Sequence, residues 1–338
     1  MTSFSSSVAF LRCRSCDFAL LKFEFFFHVD FVNVYFFVNF DFFNRKPANA
    51  LSMEMCAELS NAIKTVEECT PAATAMVLSS SLQNNIFSAG LDIGTKLYKP
   101  DLDRLPKFWW SVQQLFLDLY GCTQLTTVAA MGGHAPAAGC MMALSCDYRV
   151  MSFSTTTTTT TTTTSKGKNA KKNGKIGLNE CHLGIVAPPW MCQQYIDVLG
   201  HRKAELALLS GILFAPNEAL ENGLIDELVD VDVDVDIVVG EDDVNNDAND
   251  DENENPMDIN IIERAALKKA NEFVRIPSDA RAAVKKLTRR PLIDTLIKDR
   301  ERDIESFCIF VTSDPVQTNI GNYLEALSMA SKSKSKKK

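Results

Sequence analysis

The chain has 338 residues, enough for one large domain or two smaller ones, and 46% of them are hydrophobic, enough to bury a substantial core. Its formal net charge of −8 is unevenly placed: Asp230 to Asp258 holds 13 acidic residues and no Lys or Arg, while five lysines lie between Lys166 and Lys175 and five between Lys332 and Lys338. Without these segments a charge of about −5 remains, so the body has no strong electrostatic bias and no nucleic-acid partner is implied. The ten cysteines sit in apolar or helical contexts, which suits buried thiols in a reducing compartment better than a disulfide framework. Cys13-x-x-Cys16 is the one close pair, and no second Cys/His pair follows at finger-like spacing, so no metal site is expected.

The first sixteen residues are Ser-rich, carry Arg12 and Arg14 and contain no acid, the composition of a mitochondrial transit peptide. From Ala19 to Phe43 the chain is very aromatic, but Lys22, Glu24, His28, Asp30 and Asp41 interrupt it, so a membrane span is not expected. Apolar residues fall on odd positions from 23 to 31 and on even positions after Val32, which predicts two short strands in a hairpin.

Ser52 to Glu68 reads as a helix capped by Ser52, and Ala75 to Leu78 as a buried strand leading into a loop, Ser79 to Gly94. A second helix is expected from about Lys107 to Tyr120, where Trp109 and Trp110 serve either the core or a ligand. Thr126 to Met131 reads as a strand, and the small-residue turn Gly132 to Gly139 opens onto an apolar helix, Cys140 to Cys146. The recurrence of strand, small-residue turn and helix predicts a layered α/β domain of repeated ββα units. Ten threonines, Thr155 to Thr164, with the Lys/Asn/Gly stretch that follows, read as a surface insertion, and the Val-Asp alternation from Val231 runs into an Asp/Asn-rich linker. After Pro256, helices are expected at Ile261 to Val274, Ser278 to Leu287, Leu292 to Phe310 and Pro315 to Ala330.

Two small-residue turns ahead of helices can aim backbone N–H groups at a developing negative charge. The segment Ile176 to Ile185 sets Glu180 among Leu178, Leu183 and Ile185; apolar surroundings would make it a better proton acceptor, and a solvent-facing glutamate is the alternative. His182 is a nearby second base, although a spacing of two would turn it away from Glu180 in a helix.

Lys46 to Ser52, Phe87 to Ile93, Pro136 to Cys140, Cys146 to Arg149, Ile176 to Glu180 with Leu183 to Pro188, and Gly200 to Arg202 through Phe214 to Asp226 occur in the order found in the enoyl-CoA hydratase/isomerase (crotonase) superfamily. The chain resembles that superfamily, most closely its enoyl-CoA delta-isomerase branch. The resemblance implies an α/β crotonase-like spiral of ββα units with a C-terminal helical region. Residues 45–230 would be the catalytic core, interrupted at 153–175. Residues 1–44 would be an atypical leader, 231–258 an acidic linker, 259–330 a helical trimerisation region and 331–338 a basic tail.

It further implies that Glu180 shifts the double bond of a 3-enoyl-CoA, cis or trans, to trans-2-enoyl-CoA in fatty acid β-oxidation by C2-to-C4 proton transfer. The N–H groups of Leu91 and Ala138 would form the oxyanion hole, and Ser88, Ala89, Gly90, Leu91, Asp92, Ala138 and Gly139 the substrate-binding turns. The partner is an acyl-CoA and no separate cofactor or metal is implied, coenzyme A being part of the substrate. The assembly would be a homotrimer in the mitochondrial matrix, with the peroxisome as alternative, though the final Lys-Lys-Lys is not a Ser-Lys-Leu address. Hydratases of the superfamily use a second glutamate where this chain has Met141, and Ala137 and Ala138 stand where glycines are common. Competing readings are another crotonase-fold enzyme, such as a dienoyl-CoA isomerase or a thioesterase, and a non-catalytic protein that binds CoA or a protein partner.

Overall fold

A computed structural model describes residues 28–30, 33–39, 48–68, 74–80, 85–155, 173–232 and 261–335. The Cys13/Cys16 pair, the basic N-terminal sixteen residues, most of the threonine and lysine insertion, the acidic linker and residues 336–338 lie outside the described residues.

The main sheet has six strands in the order β1 (His28–Asp30), β2 (Asn33–Asn39), β3 (Ala75–Ser79), β4 (Thr126–Met131), β6 (Tyr148–Phe153) and β8 (Glu227–Asp230). The β1–β2 pair is antiparallel, with His28 opposite Tyr35, and every other neighbour is parallel. The predicted hairpin thus forms and extends the sheet: β2 pairs with β3 from Tyr35 against Ala75 to Asn39 against Ser79, ahead of the residue-45 boundary set for the core. A second sheet of two short parallel strands, β5 (Ala135–Pro136) and β7 (Ile176–Gly177), stands off the first.

Chain order gives the repeat. β4 leads through β5 to α3 (Ala138–Ser145), and β6 leads through β7 to α4 (Pro189–Leu199). β2 and β3 lead through single-residue bridges at Leu51 and Ile86 towards α1 (Met53–Glu68) and α2 (Leu105–Tyr120). Helices α5 (His201–Ser210) and α6 (Pro216–Glu221) precede β8.

β3 and β4 are buried along their whole length, as expected of parallel strands covered on both faces. Their side chains alternate between two cores. Met76, Leu78, Ala129 and Met131 join the large core under α1 to α4, while Ala75, Val77, Val128 and Ala130 face α7 (Ile261–Val274) through Ile262, Ala266 and Ala270. The alanines of α7 let the helix lie close on the sheet. Ser52 caps α1, accepting from the Met55 N–H at 3.2 Å.

The C-terminal region departs from expectation in one respect. The two helices expected on either side of Pro291 are one, α8 (Ser278–Val311). An interior proline costs about 3 kcal/mol, but tertiary ties on both sides hold this helix together. On one side Lys285 and Arg289 meet Asp147 at 2.8 and 2.5 Å, and Lys285 also donates to the Leu125 carbonyl. On the other, Leu292 and Leu296 are buried in the main core. A last helix, α9 (Asp314–Ser335), returns across the site, where Gln317 donates to the Leu97 carbonyl and accepts from the Lys99 N–H.

The insertion is pinned where it leaves the fold: Asn173 accepts from the Ser154 N–H at 2.7 Å and donates to the Ser154 carbonyl at 3.2 Å. Gly174 lies so close to Gly133 that a Cβ there would be 2.6 Å from its carbonyl carbon. Deleting residues 156–172 with a short linker is therefore expected to leave the melting temperature within a few degrees, whereas a deletion that also removes Asn173 and Gly174 lowers it markedly; thermal denaturation of the two variants checks this. Asp147→Ala strands two nearly buried cations and is expected to cost about 3 kcal/mol in a urea titration.

Candidate active site

The site is built where three backbone segments meet. Residues 48–52 back the loop that carries Ser88 to Asp92: Ala89 N–H donates to the Ala48 carbonyl at 2.9 Å, Leu51 N–H to Gly90 at 2.7 Å, and Asp92 N–H to Leu51 at 3.0 Å. The Ser88 hydroxyl donates to the Asn49 carbonyl and accepts from the Gly90 N–H. Asp92 accepts from the Thr95 N–H and hydroxyl, capping a π-helical turn at Ile93–Leu97. Ser88 and Asp92 are thus buried scaffold.

The turn Pro136–Gly139 lies against this loop. A Cβ at Gly90, where φ is +81°, would stand 3.1 Å from the Ala137 Cβ and 3.3 Å from the Ala138 nitrogen, and one at Gly139 would stand 2.8 Å from the Ser88 carbonyl oxygen. Only glycine permits so close an approach. Among the described residues, neither the Leu91 N–H nor the Ala138 N–H donates a hydrogen bond to the protein. Ala138 also opens α3, so the partial positive charge of the helix N-terminus falls on the same spot.

The third segment carries the carboxylate. β7 ends at Gly177, whose carbonyl accepts from the Ala137 N–H at 2.8 Å, so this strand is tied directly to the turn. The chain then makes a single 3₁₀ turn, Glu180–Leu183, ended by Gly184 in the left-handed region at φ 69°. Leu178, Leu183 and Ile185 are buried beneath it. Burial pushes the Glu180 carboxyl up to about 7, with a hydrogen bond from its own backbone N–H acting in the opposite sense.

Ala89, Leu91, Ala138 and Glu180 line one cleft of about 750 Å³, measured with its open mouth. Gly90 and Gly139 stand behind the wall, as do Ser88 and Asp92. Glu180 is the only carboxylate among the described lining residues, and Met141 is buried in α3 and does not face the cleft.

His182 also lines the cleft, because in a 3₁₀ turn residues two apart diverge by only about 120°, less than a helical reading of the segment suggested. Its Nε2 lies 3.1 Å from the Gly211 carbonyl; since a carbonyl only accepts, that nitrogen carries the hydrogen. Trp109 is 1% exposed in the core and also part of the cleft wall, while Trp110 stacks under Arg300 at the surface. Phe307 of α8 and Tyr323 of α9 complete the wall, and nothing local in their sequences signals it. Among the described residues no cluster of three or more His, Cys, Asp or Glu is gathered to hold a metal ion, and no helix is long and apolar enough to cross a membrane.

Known proteins resemble this chain in sequence and in fold. A family model described as enoyl-CoA hydratase/isomerase matches residues 38–238. The mitochondrial enoyl-CoA delta isomerase 1 of Rattus norvegicus is 36% identical over 285 residues, covering 84% of this chain and 82% of its own. The Homo sapiens protein of the same name is 31% identical over 285 residues, covering 84% and 78%. The crystal structure of human mitochondrial delta3-delta2-enoyl-CoA isomerase superposes with a TM-score of 0.69 at 29% identity, over 87% of this chain and 95% of that one. A Mycobacterium paratuberculosis enoyl-CoA hydratase/isomerase at 16% identity shares the fold, with a TM-score of 0.62 over 89% and 98% of the two chains. With its crotonase-like α/β fold, the chain belongs to the enoyl-CoA hydratase/isomerase family.

Proposed function

We propose that this protein is an enoyl-CoA delta-isomerase that converts cis- or trans-3-enoyl-CoA to trans-2-enoyl-CoA in fatty acid oxidation. The observation that carries the reading is a single carboxylate, Glu180, raised to about 7 by burial and sharing a cleft with the unpartnered N–H groups of Leu91 and Ala138. The relatives named above as delta isomerases support it.

In this mechanism the thioester carbonyl accepts from Leu91 and Ala138. Glu180 takes a proton from C2; the C–H electron pair forms the C1–C2 double bond and the carbonyl pair moves onto oxygen. When the oxyanion collapses, the electrons pass through C2=C3 and C4 takes the same proton from Glu180. One proton leaves and one returns, so no redox partner, metal or cofactor beyond the substrate's coenzyme A enters the balance. The names of the relatives support placement in mitochondria, and the family resemblance supports a homotrimer, which light scattering on the purified protein tests.

Glu180→Gln keeps size and polarity but carries no proton. It is expected to lower kcat at least about a hundredfold with little change in affinity, since both oxyanion donors are backbone groups. His182→Ala should cost far less, since the family resemblance puts the proton carrier at Glu180 and does not require His182. Steady-state kinetics of both variants on one 3-enoyl-CoA decides between the two bases, and near-normal turnover in a folded Glu180→Gln protein contradicts the assignment. Because Met141 lies outside the cleft, hydration of 2-enoyl-CoA should be at least about a hundredfold slower than isomerisation in a parallel assay.

The raised carboxyl sets two opposite pH trends. Activity needs the ionised base, so kcat/KM is expected to rise through about pH 7. Between the ordinary value of 4.5 and about 7 the folded state binds more protons at Glu180 than the unfolded state, so this group's contribution to stability falls as pH rises. Glu180→Gln should flatten that slope in denaturant titrations across the same window.

A further inference from the structure

The floor of the cleft is an aromatic pair. Trp109 of α2 and Phe307 of α8 stack with ring centroids 3.6 Å apart and planes 6° apart, and both face the cleft. Asp303 lies one helical turn before Phe307 and fixes the indole from behind. Its Oδ2 accepts from Trp109 Nε1 at 2.8 Å, Gln113 Nε2 at 2.7 Å and Trp190 Nε1 at 3.3 Å. The spacing of four on each helix lets the pair Trp109 and Gln113 meet the pair Asp303 and Phe307 face to face.

Behind this floor lies a second cavity between α4 and α8, about 1680 Å³ with its open mouth, with Leu292 and Leu296 on its apolar side. Two side-chain layers part the spaces: Trp109 and Phe307 on the cleft side, and behind them Trp190 and Asp303, the latter bonded to Trp109. Met191 and Phe307 face the cleft, while their chain neighbours Trp190 and Ser306 face the second cavity, as does Asp303.

We propose that the Trp109–Phe307 stack, positioned by Asp303, is a partition that sets the longest acyl chain the cleft accepts. The inference rests on reading the cleft as an acyl-CoA site. Each methylene that finds apolar room strengthens binding about fourfold, and one that meets a fixed wall gains nothing. Chain length should therefore raise affinity up to the stack and then stop. Removing the Phe307 ring deepens the cleft toward the second cavity and moves that stop outward.

The test is calorimetric binding of saturated acyl-CoAs of six to sixteen carbons to the full-length protein and its Phe307→Ala variant, with turnover of 3-enoyl-CoAs of the same lengths alongside. The proposal expects the length at which affinity stops improving to move outward by two carbons or more in Phe307→Ala, raising the long-to-short affinity ratio at least about tenfold. If Phe307→Ala does not fold by circular dichroism, Phe307→Leu takes its place, with a smaller shift in the same direction.

Asp303→Ala is expected to shift the profile the same way. Asp303→Asn, which keeps an acceptor oxygen for the indole, should restore most of the wild-type profile, an outcome that loss of a merely structural contact would not give. An unchanged length profile in folded Phe307 variants overturns the partition. Binding at every length without turnover contradicts the isomerase reading alone and leaves the partition to the binding profile. No acyl-CoA binding at any length overturns both.

Discussion

The cleft depends on two backbone turns lying closer together than side chains allow. Ser88–Leu91 and Pro136–Gly139 meet at Gly90 and Gly139, where a Cβ would stand 3.1 and 2.8 Å from its nearest neighbours across the contact. Among the described residues, the Leu91 and Ala138 N–H groups at that contact have no protein acceptors, which is what the proposed electrostatic stabilisation of an oxyanion requires. The contact also carries strain. Ala137 sits at φ 52° and ψ −124°, a conformation that suits glycine and costs a residue with a Cβ about 1–3 kcal/mol. Its N–H, bound to the Gly177 carbonyl, holds it there and joins the turn to the strand that leads into the Glu180 turn.

Burial of Glu180 looks costly, yet it does not oppose the proton transfer. In the proposed reaction the carboxylate becomes neutral as it takes the proton, and the negative charge passes to a thioester oxygen in the same cleft. Low polarity penalises the charge at either place. What distinguishes the two states is the pair of N–H groups at one of them, and only interactions stronger in the transition state accelerate the step. A second carboxylate in so small a space would raise the cost of both.

Much of the fold was legible in the sequence because its signals are local. β3 and β4 announce themselves by short apolar runs, α1 by Ser52 and its helical spacing, and the turns by Gly90 and Gly139. Pro291 misled for the same reason: local chemistry predicts a break, and ties to Asp147 and the main core override it. The 3₁₀ geometry that keeps His182 at the cleft is equally invisible to a helical period. Ser88 and Asp92 belong to the right loop, but whether a polar side chain faces the cleft or braces its loop is decided by partners such as Asn49, far away in sequence. The floor was least legible, since Trp109, Asp303 and Phe307 meet across nearly two hundred residues.

The central claim is that one carboxylate carries one proton from C2 to C4. The most direct measurement is the fate of deuterium at C2 of a labelled 3-enoyl-CoA turned over in ordinary water and read by mass spectrometry and NMR of the product. A single enclosed carrier predicts that a measurable fraction of the product holds deuterium at C4, in competition with exchange from the half-buried Glu180 to solvent. Absence of deuterium from C4 at every temperature would contradict transfer by a single enclosed carrier.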